Sequence, residues 1–433
     1  MVSLEIDRVS CRYESIEVLN SLSFSARGGE FVGVLGPNGS GKTTLLRTIS
    51  RTLKPYEGVV LLNESDVYQM TNRGVAKEMT VVPQDSLIAF SFTALDVVLM
   101  GRNPHLTRFQ TESSEDLAIA RKAMRLTGVW HLADRPITDV SGGERQRIVI
   151  ARALTQKPRV LLLDEPTLHL DINSQIEIMD LLKNLCKENK IIVIAVFHDF
   201  NLAARYCDKL ILLHDKKIVS LGKPEEVLTK GNISEVFGVG AFVKRHPITN
   251  SLYVIPISTS LLASDIKKGG FRVHVICGGG SGASLMTRLV RGWNVTAGVL
   301  NVLDTDYEAA QMLGIPVASE APFSPIAKEA YKENLRLIQQ ADTVIVTDFL
   351  IGYGNLKNLE AVKVASEKSI PTIVIDNVPI EKRDFTGGKA EKYFKKILAA
   401  RVTIVKSHDE ALRVIEELAK QRYSRKARRE DHA

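Results

Sequence analysis

The nine residues Gly36-Pro37-Asn38-Gly39-Ser40-Gly41-Lys42-Thr43-Thr44 decide how this chain is read. They match the pattern G-x-x-x-x-G-K-[ST], and their setting matters as much as the match. The apolar run Phe31-Val32-Gly33-Val34-Leu35 precedes them as a strand, and Thr43 to Ser50 continues with helical character. A triphosphate needs several donors pointing inward at close range. Glycines let backbone N–H groups approach where a Cβ would collide. The helix that follows adds the partial positive charge of its N-terminus. Lys42 is placed to bridge the β- and γ-phosphates, and the Thr43 hydroxyl to ligate Mg²⁺. ATP and Mg²⁺ are therefore the expected cofactors.

Moving outward, a second apolar run, Leu161-Leu162-Leu163, ends in Asp164-Glu165. Asp164 is expected in the Mg²⁺ shell and Glu165 as the general base that orients and deprotonates water. Val160 to Leu163 and Ile191 to Val196 are apolar on both faces, as buried strands of a parallel sheet are. Ser174 to Cys186 is amphipathic and predicts a helix. The first part of the chain is thus α/β with a central, mostly parallel sheet.

With the cradle and the acidic pair in place, Ser141-Gly142-Gly143-Glu144-Arg145-Gln146-Arg147 looks like the signature of the ATP-binding cassette superfamily, and the resemblance runs from about residue 2 to 255. In that family two cassettes pair head to tail, with each ATP between the cradle of one and the signature of the other. The resemblance therefore implies a homodimer in which Ser141, Gly142, Gly143 and Glu144 reach the γ-phosphate of the partner's nucleotide. It further implies that Gln84, in Val81-Val82-Pro83-Gln84, touches Mg²⁺ and water and reports to a transmembrane partner. His198 is similar to the switch histidine, Asp171 to the loop crossing the dimer interface, and Tyr13 to the aromatic that stacks on adenine.

The signature departs from its usual form at Val140 and Glu144, where leucine and glutamine are common. Glu144, the stretch His198 to Asp208 and Gly222 to Leu228 resemble importers of iron chelates, haem and vitamin B12. The expected function is the ATPase subunit of an importer of cobalamin, ferric siderophore or haem. It would sit peripherally on the cytoplasmic face of the membrane, with transmembrane permease subunits and, indirectly, a substrate-binding protein. The segment Asp85 to Leu106, with Leu87, Ile88, Phe90 and Phe92, is expected to meet the permease. The alternative is a soluble cassette with a ligand-sensing C-terminal regulatory domain.

Composition fits this assignment. The chain has 433 residues, a net charge of +7 and four scattered cysteines without C-x-x-C spacing. That length predicts two or three domains. The cysteine pattern predicts neither a zinc site nor disulfides. Met1 to Asp7 lacks the basic start and apolar run of a signal peptide, and no apolar stretch approaches the ~20 residues that span a bilayer. Much of the charge lies in the tail, which reads as a solvated end or a contact for anionic lipid. Nucleic acid is not an expected partner.

The organisation predicted is an ABC cassette, a P-loop NTPase fold with a helical subdomain, over residues 1–258, a linker at 259–270, a smaller Rossmann-like parallel α/β domain over 271–420, and a basic tail at 421–433. In the second domain, Cys277-Gly278-Gly279-Gly280-Ser281-Gly282 lies between a strand and a helix. It reads either as an anion- or nucleotide-binding turn or as a tight turn without a ligand. The strict G-x-G-x-x-G fingerprint fails, and no acidic partner is clearly placed. Asp304, Asp306, Thr347, Asp348 and Asp376 stand at other strand ends, where ligands of parallel sheets sit.

Overall fold

In a computed structural model the chain divides into two compact units, Met1–Pro256 and Ile257–Ala433. The structure describes residues 2–84, 92–107, 110–168, 170–245, 251–257 and 270–430, the side chains of 424–430 excepted. Leu87, Ile88, Phe90, His169, the expected linker except Gly270, and the last three residues lie outside the described residues.

The first unit is built on a six-stranded sheet. Its spatial order is Lys217–Gly222, Lys209–His214, Phe31–Leu35, Ile192–Val196, Val160–Leu163 and Met79–Val82. All neighbours are parallel except the first pair. The three central strands are buried at every position, which explains why they read as unbroken apolar runs rather than alternating ones. One face packs on a four-stranded antiparallel sheet containing Ser3–Tyr13 and Ile16–Arg27, through Leu4, Ile6, Leu19, Val32, Leu45 and Ile194. The other face packs on the helices Gly142–Thr155 and Ile172–Asn189, through Val149, Leu161, Ile178 and Leu182.

The expected helical subdomain is present. Helices Ala94–Leu99, Ser114–Leu126 and Gly142–Thr155 share a core of Val97, Val98, Met124 and Ile148. A buried ion pair fastens it: Arg102 Nε donates to Asp116 Oδ1 at 2.8 Å, and Arg102 Nη1 donates to Thr155 O at 2.6 Å.

The second unit carries six strands, all parallel, ordered Val317–Glu320, Asn294–Asn301, Arg272–Ile276, Thr343–Val346, Thr372–Ile375, Val402–Val405. Counted along the chain this is 3-2-1-4-5-6, the doubly wound Rossmann order. The sequence reads as one long helix from Ser324 to Gln340, but the helix begins only at Lys328. Glu320 accepts from the N–H groups of Ala321 and Ala327 and closes the intervening stretch as a loop. At the C-terminus the basic tail expected at 421–433 continues, as far as Glu430, the helix His408–Glu430. Arg422 in that helix pairs with Asp342 and lies 5.8 Å from the Phe271 ring.

Candidate functional site

Parallel register brings the carboxyl ends of four adjacent strands to one edge. Val34 is paired with Val196, Leu163 with Ala195, and Val82 with Leu163. The chain therefore leaves Leu35, Val82, Leu163 and Val196 on the same side, carrying the Gly36–Gly41 loop, Gln84, Asp164-Glu165 and His198 with it.

The loop leads into helix Lys42–Ile49. That helix has Gly41 at its N-cap, no side-chain cap and no acidic residue in its first turn. Its first N–H groups are thus left for an acceptor from elsewhere. Two glycines are required by geometry. A Cβ on Gly36 would stand 2.3 Å from Leu213 O, and Gly41 has φ of 100° with the Leu19 side chain 2.6 Å from where a Cβ would be. The Lys42 ammonium is folded back over the loop, donating to Gly36 O and Pro37 O at 2.9 Å each. Burial lowers its pKa, and the neighbouring Glu165 and Asp164 oppose that shift. Asp164 is shifted upward, chiefly by burial, while a hydrogen bond from Thr43 acts the other way. Two buried oxygens here, Ser40 Oγ and Asp164 Oδ1, have no hydrogen-bond partner. Buried polar atoms are rarely left so. A hydroxyl and a carboxylate oxygen beside an uncapped helix start fit a phosphate and its divalent cation.

Beside the cradle, Gln84 Nε2 donates to Glu165 Oε2 at 2.9 Å, and His198 Nε2 lies 2.5 Å from Glu165 Oε1. Glu165 is held with φ of 53°, a left-handed backbone that a non-glycine residue rarely adopts. Gln84 and His198, each from its own strand end, thus converge on the Glu165 carboxylate at a third. Tyr13 is partly exposed, and its hydroxyl accepts from Arg47 Nη1 at 3.3 Å, which places it against the helix that begins at Lys42.

The signature residues form a separate cluster. Ser141 caps helix Gly142–Thr155: its Oγ accepts from Glu144 N, and Glu144 Oε2 accepts from Ser141 N at 2.8 Å. These bonds hold the Glu144 carboxyl below the ordinary range. Asp171 caps helix Ile172–Asn189 through Ser174 N at 3.0 Å. The two helix starts meet where a Cβ on Gly143 would stand 2.6 Å from Ser174 Oγ. Among the described residues no hydrogen bond joins Ser141, Gly142, Gly143, Glu144 or Asp171 to Gly36–Thr44. Sequence reasoning missed Ser174 and Arg47, the former because its only signal is contact with a glycine over thirty residues away.

The chain is similar to known proteins. A family model described as ABC transporter matches residues 19–168, and one described as the MJ0874 family matches residues 295–412. The cobalamin import ATP-binding protein BtuD of Halobacterium salinarum is 38% identical over 347 residues, covering 80% of this chain and 86% of that protein. The ferric enterobactin transport ATP-binding protein FepC of Escherichia coli is 36% identical over 251 residues, 58% of this chain and 93% of its own. Among solved structures, an inward-facing metal-chelate type ABC transporter superposes with a TM-score of 0.54 at 30% identity, covering 60% of this chain and 100% of its own. By fold, site and coverage of these relatives, the chain belongs to the ATP-binding proteins of ABC transporters, and it is an ATP hydrolase.

Proposed function

We propose that this protein is the ATPase subunit of an importer for a corrinoid or related metal chelate, working as a pair of chains. The convergence of Gln84, Glu165 and His198 beside the cradle is the observation that carries it. Lys42 would neutralise β- and γ-phosphate charge, and the backbone from Asn38 to Thr44 would supply N–H donors. Thr43, Asp164 and Gln84 would hold Mg²⁺, which when bound spreads the charge of the phosphate oxygens. Glu165 would take the proton of the attacking water, and His198 would orient Glu165 and the γ-phosphate. Tyr13 would cover adenine.

The separation of Ser141–Glu144 and Asp171 from their own cradle supports a site shared between two copies. Closing two chains around ATP and releasing them after hydrolysis would drive a permease between two states. Among the described residues no helix is long and apolar enough to cross a membrane. The subunit would act from the cytoplasmic face through that permease, with a substrate-binding protein delivering cargo on the other side. Relatives named for cobalamin, ferric enterobactin and hemin import support the cargo class. The cobalamin relative is the one of these three whose alignment is longer than the first unit.

The test is uptake into proteoliposomes holding the permease together with this chain. ATP-dependent uptake of cobalamin, abolished by Lys42→Ala, is expected. Absence of uptake of cobalamin, ferric siderophore and haem alike would overturn the reading.

A further inference from the structure

The second unit presents an unusual edge. Its strand order reverses between Arg272–Ile276 and Thr343–Val346. In open parallel sheets, ligands bind outside the carboxyl ends of strands at such a point. The loops at those ends carry Leu303, Phe323, Leu350, Tyr353 and Phe385, all exposed, Phe323 by 97%. Two of them, Leu303 at φ 83° and Phe323 at φ 57°, hold left-handed backbones. Bulky residues pay strain in that region, and strain of this kind collects at functional sites.

The loops form one continuous rim. Asn301 Nδ2 donates to Ala321 O at 2.7 Å, Ile326 N to Gly354 O at 3.0 Å, the Tyr353 hydroxyl to Thr386 O at 2.9 Å, and Phe385 N to Ile351 O at 2.8 Å. Exposed apolar residues gathered on joined loops mark an interaction site more often than residues scattered singly do.

The polar groups inside the rim select the ligand. The anion-binding reading of Cys277–Gly282 fails on geometry. Gly279 N donates to Asp304 Oδ2 at 2.9 Å, and Gly282 N to both oxygens of Asp306 at 3.0 and 3.1 Å. Two carboxylates occupy the donors that a phosphate would need and repel its charge. Ser281 and Thr347 hydroxyls bond each other at 2.7 Å and close the turn further. The half-buried Asp348 carboxylate, at the end of the fourth strand, accepts no hydrogen bond among the described residues. The rim therefore suits a broad apolar ligand that donates hydrogen bonds from its edge and places no phosphate against the turn.

We propose that this rim binds the corrinoid class of chelate, a wide macrocycle edged with primary amides. The inference rests on the cargo reading above. It is supported by the cobalamin import relative, whose alignment covers 80% of this chain, more than the first unit can hold, whereas the ferric enterobactin relative covers 58%. Rim aromatics and leucines cover the macrocycle, and Asp348 accepts from its amides.

The test is calorimetric and absorbance titration of the full chain with dicyanocobinamide, which keeps the amide-edged ring and lacks the nucleotide loop, with NADH and haemin as comparators. One equivalent of cobinamide is expected to bind. Phe323→Ser with Phe385→Ser, both on the surface, should weaken binding at least about tenfold, and Asp348→Asn at least about threefold. ATP turnover should not change. No binding, equal binding by the double variant, or tighter binding of NADH or haemin would overturn the proposal. Permease-dependent cobalamin uptake without cobinamide binding would overturn this inference and leave the transport reading intact. Cobinamide binding without uptake of any chelate would do the reverse.

Discussion

Replacing Glu165 with glutamine separates chemistry from architecture at the site. The Glu165 side chain is 12% exposed and has two neighbours within hydrogen-bonding distance, Gln84 Nε2 at 2.9 Å and His198 Nε2 at 2.5 Å. An amide of the same length can keep both. Its oxygen accepts from Gln84, and its nitrogen donates to an unprotonated His198 Nε2. The left-handed backbone at 165 is untouched. What is lost is the capacity to take a proton from water. General-base catalysis contributes about 10²–10⁴-fold, roughly 2.7–5.5 kcal/mol of barrier. Phosphate release at saturating Mg-ATP should fall by that factor. The variant should still bind ATP as tightly as the wild type, because Lys42, Thr43 and Asp164 remain, and light scattering should show a nucleotide-loaded dimer that persists. Turnover within about threefold of wild type would show that Glu165 is not the base. A large fall in melting temperature would show that its carboxylate is chiefly structural.

Three other outcomes follow from the geometry. Mixing a Lys42→Ala chain with a Ser141→Arg chain, each inactive alone, should restore up to about a quarter of wild-type turnover, since half of random dimers pair the two and each such dimer holds one intact shared site; no recovery together with no mixed dimer bound to ATP would refute the shared site. Asp116→Asn should lower stability by up to about 3–5 kcal/mol, because Arg102 is left buried without its partner. Hydrogen bonds from Ser113, then Arg102, hold the Asp116 carboxyl at about 2, below its unfolded value, so its contribution is full above about pH 4 and fades toward pH 2; denaturant melts of the two proteins should converge over that window, and a constant gap would refute the assignment. His274 is fully buried, which pushes its pKa down to about 4. The unfolded chain takes its proton near pH 6.5 and the folded chain does not. Stability of the wild type should therefore fall relative to His274→Gln between about pH 6.5 and 4, by at most about 1.4 kcal/mol per pH unit, as measured in melts across that range.

The first unit was legible because its chemistry is local in sequence. The cradle needs glycines at fixed spacing between a strand and a helix, and Asp164-Glu165 must follow a buried strand directly. Both patterns sit within ten residues. His198 and Gln84 were placed by family likeness, and parallel register explains why that likeness works: strands paired residue by residue deliver their next residues to a common edge. Element ends were less legible where a side chain from elsewhere decides them. The start of helix Lys328–Gln340 is set by Glu320 bonding across a loop, a contact that no helical periodicity records.

The glycine turn of the second unit shows where such reading fails. Cys277–Gly282 has the composition of a phosphate cradle, and so does Gly36–Gly41. The two differ in who satisfies the backbone donors. At Gly36–Gly41 the following helix has no acid in its first turn and no cap, and the nearest carboxylates, Asp164 and Glu165, come from a strand two places away in the sheet. At Gly278–Gly282 the neighbouring strand, Asn294–Asn301, leads into a helix start that carries Asp304 and Asp306, and both turn back onto the glycine N–H groups. An acid at the end of the second strand can serve a ribose only if it leaves the turn open. Here Asp304 bonds Gly279 and Asp306 bonds Gly282, so the same residue type that would complete a dinucleotide site closes it. Spacing alone cannot separate these cases, because the deciding bonds run between residues about 25 positions apart. Substituting Asp304 and Asp306 with asparagine removes the charge and half of the accepting capacity at the turn. If the closure is electrostatic, weak NADH binding should then appear in the same titration, where the native chain is expected to show none; continued absence would place the barrier in the rim's shape instead.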